Sequence, residues 1–185
     1  WIHLYDPHTP YAPPEPFKSE YSRHPYLGEI AYTATQLARL WDYLGRSGLR
    51  DNLFLVFAAD HGESLGEHEE TTHGFFVYQA ALHVPLIIVT PFPDLQGVTS
   101  TETVALADIM PTVLEMAGIP VPAEVQGKSL VPSFFRPGAD ARRLAYSETF
   151  YPRYHYGWSD LRSVQDGRFK LILAPVPELY DLKQD

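Results

Sequence analysis

Two short segments of this chain bring together residue types that can do chemistry. The first is Asp60-His61-Gly62-Glu63, directly after the apolar run 53–59. Carboxylate oxygen is a hard ligand and imidazole a borderline one, so the two side by side suit a divalent cation. Gly62 lets the backbone turn close beside an ion. The plainer alternative is a strand end closed by an Asx turn. Four of the eight histidines, His61, His68, His73 and His83, fall within residues 61–83, which weighs towards a site. His83 abuts the apolar run 84–89 and reads as structural. The second segment is Tyr5-Asp6-Pro7-His8-Thr9-Pro10-Tyr11, where two prolines bracket His8 and stiffen the backbone on both sides. Such stiffness suits a side chain that must be aimed, although alone it reads rather as a Pro-rich structural turn. A third stretch, residues 150–158, is dense in aromatics. It reads equally as a substrate pocket wall or as a loop packed on the core.

These segments need elements to position them. Residues 52–59 form a continuous run of β-formers, which predicts a strand buried on both faces. Residues 84–89 predict a second such strand, closed by Pro91 and Pro93. Residues 27–47 predict a helix, with Ile30, Leu37, Leu40, Trp41 and Leu44 near helical spacing and Gly48 just past the end. Residues 107–117 predict another, with Asp108 as a cap, Pro111 in the first turn and Gly118 as the stop. Short strands are expected at 1–5, 144–149 and 168–173. Helices alternating with apolar strands predict an α/β sandwich around a mostly parallel sheet. In such sheets ligands collect beyond the carboxyl ends of the strands, where Asp60 and His61 stand.

Composition narrows the function. The chain has 185 residues, 45% hydrophobic and 20% charged, which excludes disorder, collagen-like repeats and coiled coil. No apolar run is long enough to cross a bilayer. Fourteen Lys and Arg stand against 23 Asp and Glu, with no basic stripe, so nucleic acid is not an expected partner. An acidic chain handling an anionic substrate needs local cations or a metal. There are no cysteines, hence no disulfide and no thiolate zinc site. The apolar start at Trp1 and the charged end at 178–185 lead us to expect an internal piece of a longer chain.

The runs 5–11 and 59–68, Thr72-His73-Gly74 with Val84-Pro85-Leu86-Ile87-Ile88, and Glu178-Leu179-Tyr180-Asp181-Leu182 together resemble the sulfatase family of the alkaline phosphatase superfamily. Order and interval agree over nearly the whole chain. The resemblance implies an alkaline-phosphatase-like α/β sandwich, a mostly parallel central sheet flanked by helices, truncated at its N-terminal side. Residues 1–143 would be the C-terminal part of the main sheet region and 144–185 the start of a C-terminal subdomain. Asp60 and His61 would bind a metal, Ca²⁺ first, with Mg²⁺, Mn²⁺ or Zn²⁺ as the others. His73 and His8 would touch oxygens of a small anionic ester. The implied activity is metal-dependent hydrolysis of sulfuric esters, with formylglycine as nucleophile. The alternatives are a phosphodiesterase or phosphonate monoester hydrolase of the same superfamily, or a non-catalytic degenerate member. A periplasmic or secreted location is implied too. The family's Cys/Ser-x-Pro-x-Arg motif and paired Asp-Asp are absent from these residues, and in the family both lie upstream. The 185 residues alone are therefore expected to be inactive. Gln79, His83 and Ala34 stand where the family has Glu, Arg and Asp.

Overall fold

The computed structural model describes residues 1–136 and 143–184. They fall into two compact units, Trp1–Leu53 and Phe54–Asp185.

The first unit is helical. A short α1 (Phe17–Glu20) precedes α2 (Pro25–Arg46), close to the helix predicted at 27–47. Pro25 opens α2, where its fixed φ is already helical and its missing N–H is not needed. The residues of α2 that are fully buried are Gly28 and Glu29, not the apolar ones. The strand expected at 1–5 does not form. Trp1, Ile2 and Tyr5 are exposed, and among the described residues no strand pairs with them to take up their backbone groups.

The second unit holds two sheets. β1 (Leu55–Ala58) pairs with β2 (Leu86–Val89) from Leu55↔Val89 to Ala58↔Leu86. A one-turn α3 (Gln79–Leu82) lies between them in the chain. The pairing is antiparallel. A parallel pair would need a crossover helix, and the link from β1 to β2 is mostly irregular. Neither strand is buried on both faces as expected: Ala58 and Ile87 are exposed. The other sheet follows α4 (Ile109–Met116) and α5 (Val131–Phe135) and has the order β3-β4-β5-β6, again antiparallel throughout. Its strands are β3 (Ala145–Thr149), β4 (Leu161–Gln165), β5 (Phe169–Leu173) and β6 (Glu178–Asp181), with α6 (Tyr151–Tyr156) between β3 and β4. The expected parallel pairing is thus not among those of the described residues. β3, β5 and α4 fall where strands at 144–149 and 168–173 and a helix at 107–117 were predicted.

Val77, Leu161 and Ile172 form the buried core of this unit, with Phe76, Tyr78, Leu82, Ala174 and Tyr180 packed on it. Asp108 does more than cap a helix. Its carboxylate accepts from the backbone N–H of Ala105 and Lys128 and from Arg143, both side chains being nearly inaccessible. No described helix is long and apolar enough to cross a membrane.

Candidate metal and ester-binding site

The chain leaves β1 through Asp60, His61 and Gly62. Gly62 N donates to Ala81 O at 2.7 Å, and a Cβ on Gly62 would lie 2.1 Å from Ala80 O. Glycine is required here for close backbone approach, not for the sharp turn read from the sequence. The loop beyond is cross-tied. Ser64 N donates to Thr72 O and Gly66 N to Glu70 O, each at 2.8 Å. The buried Glu70 accepts from Ser64 Oγ at 2.9 Å and from Phe75 N at 2.8 Å. These ties return the chain so that the His73 ring stacks on the His61 ring, centroids 3.8 Å apart.

Asp60 and His61 face each other. Asp60 Oδ1 accepts from His61 N at 3.1 Å, and Asp60 Oδ2 lies 3.8 Å from His61 Nε2. The second distance is too long for a hydrogen bond. It does fit two ligands of one ion, each bonded at roughly 2.0–2.6 Å. His61 Nδ1 lies 3.0 Å from Gly62 O. A carbonyl can only accept, so Nδ1 carries the proton and the lone pair sits on Nε2, towards Asp60. The donor set therefore fits a divalent cation.

Glu63, which little in the sequence marks as a site residue, holds His73. His73 Nδ1 lies 2.7 Å from Glu63 Oε1, and the Glu63 side chain is 3% exposed. His61, Glu63 and His73 each offer a ligand atom within 4.8 Å of the others. The signal in the sequence was faint: a second acidic residue immediately after Gly62.

Other sequence candidates lie outside this group. His68 stacks on Tyr78 at 3.6 Å and is exposed on its other side. His83 is exposed at the end of α3 and binds Gln79 O through its backbone N–H. His8 belongs to the first unit. There the buried Glu29 accepts from His8 N at 3.0 Å and from Ala12 N at 2.6 Å, while His8 Nδ1 meets Thr9 O at 2.6 Å. The aromatic stretch 150–158 is largely α6. It is tied to the His73 segment by Thr149 Oγ1, which donates to Gly74 O at 2.6 Å. The Phe75 ring sits 5.0 Å from Tyr151 and 5.5 Å from Tyr156.

Residues 1–119 match the family described as Sulfatase, and residues 66–185 match the one described as N-sulphoglucosamine sulphohydrolase, C-terminal. The N-acetylglucosamine-6-O-sulfatase of Bacteroides thetaiotaomicron is 34% identical over 173 residues, 86% of this chain and 30% of that protein. The phosphonate monoester hydrolase of Agrobacterium radiobacter superposes with a TM-score of 0.74 at 29% identity, over 88% of this chain and 35% of that one. A structure solved with its substrate D-glucosamine-2-N,6-O-disulfate gives 0.70 at 31% identity, over 86% and 34%. The chain thus spans about a third of the length of these relatives. Its fold is that of the alkaline-phosphatase-like α/β proteins.

Proposed function

The chain belongs to the sulfatase family, and on that premise we propose that the whole protein is a metal-dependent sulfuric ester hydrolase in which Asp60 and His61 bind the metal and His73 and His8 serve the ester. The observation that carries this is the approach of Asp60 Oδ2 to His61 Nε2 at 3.8 Å, with the His61 ring stacked against His73. Asp60 and His61 would supply a hard oxygen and a nitrogen to the ion, for which we favour Ca²⁺ on family resemblance. When bound, the ion offsets the negative charge of the ester and of the nucleophile. His73 and His8 would donate to ester oxygens as charge builds on them, and one of the two would protonate the leaving group. The chain has no cysteine and no Ser-x-Pro-x-Arg motif. On this reading the nucleophile would be a formylglycine that these 185 residues do not themselves supply.

For the organic part of the ester we favour a sugar. The relative named N-acetylglucosamine-6-O-sulfatase and the structure solved with a disulfated glucosamine as its substrate support this. The exposed rings of Tyr154, Tyr156 and Trp158 offer flat apolar faces in the segment tied to Gly74. We assign the protein to the periplasm or to secretion on family resemblance. A second reading, phosphonate monoester hydrolysis, is supported by the likeness to the Agrobacterium enzyme. Sulfate and phosphonate esters share a tetrahedral anionic centre.

The test is metal content, melting temperature and turnover of aryl sulfate and aryl phosphonate, measured on the same preparations of the whole protein. Asp60→Ala should lose the metal and nearly all activity. His73→Ala should keep the metal, lose some melting temperature because the buried Glu63 carboxylate loses a partner, and lose on the order of 10²–10³ in the kcat of the folded enzyme, as for one lost oxyanion donor. Full turnover with retained metal in His73→Ala would remove His73 from the site. Preference for the phosphonate over the sulfate would select the second reading.

A further inference from the structure

Glu63 has no part in the reading above, yet its side chain is buried, at 3% exposure. An ionised carboxylate so placed is costly unless paired and hydrogen-bonded. Its partner here is an imidazole, with His73 Nδ1 at 2.7 Å from Oε1. The backbone on both sides of Glu63 is fixed, by Gly62 N to Ala81 O and by Ser64 N to Thr72 O. The carboxylate therefore cannot follow a wandering ring. The His73 ring is restrained a second way, by the His61 ring stacked at 3.8 Å and 29°. The hydrogen bond fixes the direction of the ring within its plane, and the stack fixes the plane. Neither restraint alone would do both.

We propose that Glu63 is the positioning residue of His73: it accepts the Nδ1 proton, locks that tautomer, and so makes Nε2 the nitrogen that works on the ester. This rests on the reading of His73 as a group that serves the ester. It sets Glu63 apart from the metal ligands, although its distance to His61 would allow it to be one. The 2.7 Å contact is a hydrogen bond, and an ion bridging those two atoms would have to expel the proton they share.

A double-mutant cycle on the whole protein tests this, with kcat, KM, metal content and melting temperature read for wild type, Glu63→Gln, His73→Ala and the double variant. Glu63→Gln is nearly isosteric and keeps an oxygen that can accept from Nδ1. It should retain metal and fold and lower kcat on the order of 10-fold, the low end of the cost of losing such an outer partner, because a neutral amide holds the Nδ1 proton less firmly than a carboxylate, with KM little changed. Glu63→Ala should fall further. In the His73→Ala background Glu63→Gln should have no added effect, because Glu63 acts only through the ring. An equal fold-loss in both backgrounds, or loss of metal from Glu63→Gln, overturns the proposal while leaving His73 in its role. A His73→Ala protein with wild-type turnover overturns the reading of His73 itself. Nitrogen-15 spectra of histidine-labelled wild-type protein give a check that needs no variant. His73 must show a protonated Nδ1, and an unprotonated Nδ1 ends the assignment.

Discussion

Glu29 and Glu63 are two buried carboxylates that each hold a histidine, and they hold different parts of it. Glu29, on α2, takes two backbone N–H groups of the proline-rich loop, those of His8 and Ala12. The His8 ring meets near neighbours in sequence, Thr9 O at Nδ1 and the Tyr5 ring at 4.5 Å. Glu63 takes the imidazole itself. A carboxylate on the main chain decides where a loop runs. A carboxylate on a ring nitrogen decides which atom of the ring is offered to a ligand. Removal of Glu29 should therefore appear as lost stability, and removal of Glu63 as lost rate.

The sharpest way to break this contrast is Glu29→Ala. Two charge-assisted hydrogen bonds are lost at about 1.5–3 kcal/mol each, and two N–H groups in a partly buried loop lose their acceptor. The expected destabilisation is on the order of 3–6 kcal/mol, read as a fall in the denaturant midpoint. Glu29→Gln keeps one acceptor oxygen and should recover about half of it. An unchanged midpoint in Glu29→Ala would show that the loop runs where it does without the clamp. Glu63→Gln belongs at the other end of the scale, with a small change in midpoint and a large one in kcat.

The sequence shows one of these histidine sites much better than its support. Asp60 and His61 are legible because a rare residue pair follows an apolar run, and His73 because it falls within a histidine-rich loop. Glu63 and Glu29 are not legible, because what buries them is distant along the chain or off the pattern. Glu29 sits at a helix position where periodicity looks for an apolar side chain, and its partners are loop N–H groups 17 and 21 residues earlier. The apolar stripe of α2 holds at Leu37, Leu40, Trp41 and Leu44, all half-buried, and fails at Ile30, which is exposed. β4 escaped notice because its inward positions are Leu161 and Ser163, a polar–apolar mixture with no strong alternation. The apolar runs that became β1 and β2 were found. Their antiparallel pairing was not, because run composition carries no information about strand direction.

A third buried ionic group, a cation, extends the contrast. Lys170 on β5 is 1% exposed, and among the described residues its ammonium donates to Gln79 Oε1 at 3.0 Å. Burial pushes its pKa down from 10.5 to about 8. Between about pH 8 and 10.5 the unfolded chain thus keeps a proton on this lysine that the folded one has shed. Stability should rise with pH across that window and carry the full cost of the buried charge below it. At 1.36 kcal/mol per pKa unit the cost is on the order of 3 kcal/mol. Tyr78 acts in the opposite sense. Burial, then its hydrogen bond to Glu178, raises its pKa, so its folded form keeps a proton longer and subtracts stability only above about pH 10. Urea unfolding from pH 7 to 9.5 therefore isolates Lys170. Gln79→Glu places a carboxylate against the ammonium. It should raise stability at pH 7 by on the order of 1 kcal/mol, because a partly buried pair recovers only some of the desolvation. It should also flatten the alkaline rise by holding Lys170 protonated. A wild-type profile that is flat from pH 8 to 9.5, or a variant with the same slope as wild type, would mean that Lys170 is not charged and buried in the folded protein at neutral pH. The carboxylates at positions 29 and 63 would then be its only buried ionic groups with a positioning task among these three.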